Sequence, residues 1–169
     1  AASIQIGHCG NMAKHHIIGG RPMAPTSRIN LYAPSWPKAM SHSEIQQTAK
    51  DFGQAVRTAM QAGFDAVEIH AGHGYLISQF LSPYTNTRTD AYGGSLHNRM
   101  RLMQMAVGEA LEAAAGKIAV VVKMNTRDGF KGGMERDECI EVAKTLEQMG
   151  VHALVLSGGF VSKAPMYVM

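Results

Sequence analysis

"GFDAVEIHAGHGYLISQF", residues 63–80, changes character halfway along. Val67, Ile69 and Ala71 alternate with Glu68 and His70, the period-two signature of a strand with one face buried. Gly72, His73, Gly74 and Tyr75 follow, and then an apolar run resumes. Two imidazoles and a phenol therefore fall within six residues, at the point where a strand gives way to glycine.

Outward from this stretch, the chain alternates strands with helices. "ASIQIGH" reads as a short strand. Residues 10–42 are rich in Gly, Pro, Ser and His, and read as an inserted loop carrying a small hairpin near "RINLYAP". From Ser43 to Ala62 the apolar positions Ile45, Ala49, Phe52, Val56 and Ala59 recur at helical spacing, and Gly63 ends the run. Downstream, a turn-rich stretch from Ser82 to Gly94 leads to Ser95, an N-cap for a helix reaching about Ala115. "KIAVVVKMN" is a strand whose β-branched centre suits burial on both faces. "ERDECIEVAKTLEQMG" is a helix closed by Gly150, and "VHALVLSGG" is a last strand.

Helices between strands predict an α/β fold with parallel pairing through crossovers. No glycine-rich phosphate turn follows the first strand to open a helix, as a dinucleotide-binding sheet would require. Polar and glycine residues gather after the strands instead: His8, His70 to Tyr75, Asn125 to Asp128, and Ser157 to Gly159. Chemistry at the carboxyl ends of several strands is the habit of a TIM (β/α)8 barrel, and four strands make half of one. Residues 1–169 are thus expected to form a single, partial barrel domain.

Composition narrows the function classes. The chain of 169 residues is 46% apolar, which argues against disorder. Its net charge of +3 comes from scattered Lys and Arg rather than a basic tract, so no nucleic-acid partner is expected. Cys9 and Cys139 have no pair spacing and are expected as reduced thiols in a cytoplasmic protein. No membrane span is expected, because no apolar run approaches about 20 residues, and no signal peptide, because "AASIQIGHCG" lacks a basic segment followed by a long apolar one.

The segments "QIGHCG", "GFDAVEIHAGHGYLISQFLSPYTNTRTDAYGGSLHNRMR" and "GVHALVLSGG" together resemble the Old Yellow Enzyme family of FMN-dependent ene-reductases (NADH:flavin oxidoreductases). The resemblance runs nearly the whole chain and is densest from Gly63 to Arg101. It is similar to the third through sixth strands of that family's eight-stranded barrel. The activity it implies is that of a flavoprotein oxidoreductase, passing hydride from NADH or NADPH through FMN to an enone-type alkene.

Resemblance also implies roles for particular residues. Gln5 would hydrogen-bond the pyrimidine edge of the flavin, since a primary amide offers both a donor and an acceptor. His70 and His73 would hold the activating oxygen of the substrate, where two fixed donors stabilise the charge that hydride addition builds. Tyr75 would give a proton to the α-carbon; a phenol, with an ordinary pKa of about 10, carries that proton at neutral pH. Lys123 stands where many relatives carry Arg, and would place a point charge beside the reduced flavin. Ser157 and Gly158, at a strand's end, would make backbone contacts to the cofactor.

Plainer readings stand beside these. The histidines could be a metal pair, although no carboxylate or cysteine lies at ligand spacing, or they could be packed core residues. Tyr75 could pack its ring under the loop, and Lys123 could snorkel out of the barrel mouth. Asn86, Arg88, Asp90 and Arg99 look like loop scaffolding, and the 12 methionines like core filler. The rival to the enzyme reading is an inactive half-barrel that self-associates through its open sheet edges. The family's phosphate-binding strands would lie beyond Met169, so the isolated chain is expected to bind FMN weakly and to associate.

Overall fold

The computed structural model describes residues 1–168. Its strands are β1 (Ser3–Ile6), β2 (Met23–Ala24), β3 (Lys38–Ala39), β4 (Ala66–Ala71), β5 (Ala119–Asn125) and β6 (Ala153–Ser157). Its helices are α1 (His15–Ile18), α2 (His42–Gln61), α3 (Leu76–Leu81), α4 (Leu96–Arg99), α5 (Arg101–Ala114) and α6 (Arg136–Met149). β1, β4, β5 and β6 form one parallel sheet in that order. Parallel strands in chain order, joined through helices, are a segment of a (β/α)8 barrel.

Alternation along the strands decides which face meets the helices. Ile4, Ile6, Val67, Ile69, Val120, Val122, Met124 and Leu154 share one apolar cluster with Phe52 and Val56 of α2, Met103 and Val107 of α5, and Val142 and Leu146 of α6. Each fully buried Val, Leu or Ile there contributes about 1.5–3 kcal/mol. The register sets the opposite face: Gln5 lies beside Glu68, Glu68 beside Val121, and His70 beside Lys123. That face is polar and only partly covered. Burial of β5 on both faces, expected from its β-branched run, is therefore not found. Val120 and Val122 are fully buried while Val121 and Lys123 are half-exposed.

Local chemistry explains the helix boundaries. Ser41 caps α2 through a reciprocal box: its hydroxyl accepts from Glu44 N–H at 3.3 Å, and its own N–H donates to Glu44 Oε2 at 3.0 Å. Ser95 caps the next helical stretch, which is interrupted only at Met100, whose φ of −73° and ψ of −16° remain helical. The helix α3 had no period to betray it, because all six of its residues are buried. In the inserted loop, Asn30 and Ser35 form a single antiparallel bridge, and β2 with β3 adds a two-residue parallel ribbon.

The segment between α3 and α4 is held by side chains that satisfy backbone carbonyls. Asn86 donates to Phe80 O and Tyr92 O, both at 2.7 Å. Arg88 pairs with Asp90 and donates to Pro25 O and Met40 O. Arg99, 3% exposed, reaches Gly94 O, Leu81 O and the carboxylate of Glu138 on α6. Scaffolding is what these residues do.

Candidate active site

The carboxyl ends of β1, β4 and β5 bring five of the sequence-predicted residues into one cleft. It holds about 330 Å³ and is lined by Gln5, Gly7, His8, Cys9, His70, His73, Tyr75 and Lys123. A larger cleft of about 640 Å³, with Arg28, Trp36, Tyr84 and Lys163 in its wall, contains none of the predicted site residues. Size does not choose between them. Convergent titratable groups do, and these favour the smaller cleft.

Its centre is a sharp turn. His73 has φ 61°, a left-handed conformation that costs a residue other than glycine about 1–3 kcal/mol and persists only where surroundings over-determine it. Gly74 follows at φ 83°, and a Cβ there would lie 2.5 Å from the Phe160 ring. At Gly72 a Cβ would meet Asn125 Oδ1 at 2.8 Å, so side chains are excluded on both sides of the imidazole. Tyr75 is the N-cap residue of α3, and the next residue, Leu76, donates its N–H to His8 O at 3.0 Å, fastening the turn to the loop after β1. The His70 ring centroid is 5.0 Å from that of His73 and 5.0 Å from that of Tyr75.

Both imidazoles are neutral at pH 7. Burial pulls the His70 pKa down to about 4, helped by His73 and Lys123 and opposed by Glu68. Burial, then Lys123, lowers that of His73 as well. His70 Nδ1 is buried with no hydrogen-bond partner among the described residues, which favours keeping the ring's one proton on Nε2. His73 Nε2 lies 2.7 Å from Ser157 Oγ.

The depressed His70 pKa carries a stability prediction. Unfolded histidine takes up a proton below about pH 6.5, whereas folded His70 does so only near 4, so the unfolded state binds more protons in that window. Stability should fall as pH drops from about 6.5 towards 4. Urea midpoints at neutral pH and at about pH 5 should differ less in His70→Gln than in the parent; equal pH sensitivity would contradict the assignment.

Ser157 and Gly158, expected as cofactor contacts, do not line the cleft. Both are buried, because the segment after β6 folds back over the turn, with Phe160 bridged to His73. The Ser157 hydroxyl meets the His73 ring. Two features carry no role in the sequence reading, Cys9 in the cleft wall and Glu68 accepting from the Gln5 amide; Asn125, expected only among the polar residues at a strand's end, stands behind the turn. Glu68 could have been found from its alternation with Val67 and Ile69. Cys9 carries no local signal. Among the described residues no group of three His, Cys, Asp or Glu side chains is arranged to hold a metal ion, and no helix is long and apolar enough to cross a membrane.

A parallel α/β sheet with its polar groups gathered at the strands' carboxyl ends defines a barrel-type site. Residues 1–163 match the NADH:flavin oxidoreductase / NADH oxidase family, and the chain belongs to it. It is 39% identical over 167 residues to the NADPH dehydrogenase of Halalkalibacterium halodurans, covering 99% of this chain and 48% of that protein. Among solved structures, a 2-naphthoyl-CoA reductase in complex with 2-naphthoyl-CoA superposes with a TM-score of 0.88 at 32% identity, covering 95% of this chain and 26% of that one. An old yellow enzyme homologue from Zymomonas mobilis gives a TM-score of 0.82 at 30% identity, covering 93% and 47%. The chain spans about half the length of the curated relatives it matches.

Proposed function

We propose that this chain forms the substrate-activating part of an FMN-dependent oxidoreductase that draws on NADH or NADPH to reduce an activated alkene. The observation that carries this reading is the convergence of His70, His73 and Tyr75 in the same cleft as Gln5 and Lys123. The residues fit a flavin. Gln5 and Lys123 stand on the open face of the sheet on either side of β4, an amide and a cation suited to the polar edge of the ring. When bound, FMN supplies the hydride.

Everything else in the reaction falls to the side chains. As charge grows on the carbonyl oxygen of an enone, His70 donates from Nε2. His73 donates from Nδ1, the tautomer selected when Ser157 gives its hydroxyl proton to Nε2. Because both rings are neutral, they polarise the carbonyl without protonating it. Tyr75, beside His70, delivers the proton to the α-carbon.

Flavin binding tests the cofactor part. In the protein expressed at the length of its relatives, Gln5→Ala and Lys123→Ala should each weaken FMN about tenfold, the loss of one ring contact of about 1.4 kcal/mol. Quenching of flavin fluorescence measures this. Unchanged affinity in both variants would remove Gln5 and Lys123 from the cofactor site.

A further inference from the structure

Asn125 closes β5 at 1% exposure, and each of its polar side-chain atoms has a partner. Its Oδ1 accepts the backbone N–H of His73 at 3.0 Å. Its Nδ2 donates to Asp128 Oδ1 at 3.1 Å and to Gly159 O at 2.8 Å. Turning the amide over would set NH2 against the His73 N–H and a carbonyl against two acceptors, so only one orientation satisfies the group. Asp128, 0% exposed, is itself fixed, since Oδ2 accepts from Met134 N–H at 2.7 Å.

The carbonyl side of His73 is held from another direction, accepting Val161 N–H at 3.0 Å. The left-handed residue is thus gripped at its N–H by the end of β5 and at its C=O by the segment after β6. Ring placement follows from backbone placement, because at φ 61° the Cβ vector of His73 is aimed by those two bonds. The close approach of Gly72 to Asn125 Oδ1 serves the same contact.

We propose that Asn125 is a positioning residue for substrate binding, acting through His73, with Asp128 fixing the orientation of its amide. This rests on the reading of His73 as a donor to the substrate oxygen. A buried asparagine that merely ties three loops together would affect folding, but its loss would not be felt specifically through the His73 ring.

A double-mutant cycle separates the two roles. Binding of 4-hydroxybenzaldehyde to the FMN-loaded protein at the length of its relatives is measured by calorimetry for the parent, Asn125→Ala, His73→Ala and the double variant. Asn125→Ala should weaken binding about tenfold or more, with the ratio of FMN to protein unchanged, and should weaken it less than about twofold once His73 is already Ala. Additive losses, or none in Asn125→Ala, would overturn the positioning role while leaving His73 as a donor. No loss in His73→Ala would remove the donor reading, and this inference with it. If Asn125→Ala does not accumulate as folded protein, Asn125→Ser is carried through the same cycle and judged by the same ratios.

Discussion

His70→Ala and His73→Ala should each slow reduction of an enone such as 2-cyclohexenone by about 10²–10³-fold, or about 2.7–4 kcal/mol of transition-state stabilisation. The size of the effect follows from where the charge goes. Hydride addition at the β-carbon leaves negative charge on the carbonyl oxygen, and a partly dehydrated cleft makes each fixed donor worth more than it is in water. Both rings are held by the protein's own contacts, His73 by its left-handed backbone and its contact with Ser157, His70 by burial against Gly7 in the loop after β1. The two losses should not add, because one imidazole alone leaves the oxygen free to shift. Steady-state kcat/KM on the flavin-loaded protein gives the answer. Two single variants with parental rates would mean that the histidines are packed core residues.

Tyr75→Phe should leave reduction by the nicotinamide within about twofold of the parent and slow the alkene half-reaction by about 10²–10⁴-fold. Only the second half-reaction needs a proton at carbon. Phe keeps the ring that packs 5.0 Å from His70, so the substitution removes the hydroxyl and little else. Stopped-flow traces of each half-reaction separate the two. Equal slowing in both would assign Tyr75 to shaping the cleft and would leave the proton donor to be found elsewhere.

Much of this site was legible in residues 67–75, for a physical reason. Alternation fixed the strand and its faces, two glycines marked the turn, and the polar groups between them had nowhere to point but the strand's carboxyl end. The long helices were equally plain, because apolar spacing and a terminal glycine are local signals. What could not be read was long-range. Asn125 meets His73 across 52 residues and Ser157 meets it across 84, so neither partner is written near the other. The contact of the Ser157 hydroxyl with the His73 ring therefore leaves no trace in the local sequence. The helix α3 was hidden by complete burial, which erases periodicity. The half-exposed face of β5 was hidden by Val121, whose neighbours Val120 and Val122 made the run look buried throughout.

In the proposed cycle, reduced nicotinamide and an activated alkene react in turn at one bound flavin in this cleft. The direct measurement is an anaerobic titration of the FMN-loaded protein, expressed at the length of its relatives, followed through the oxidised-flavin absorbance band. NADH or NADPH should bleach that band, and 2-cyclohexenone added afterwards should restore it, with a rate that saturates in enone and falls in His70→Ala. A band that bleaches but never returns with excess enone, or that returns at the same rate in His70→Ala, would show that this cleft does not activate the alkene.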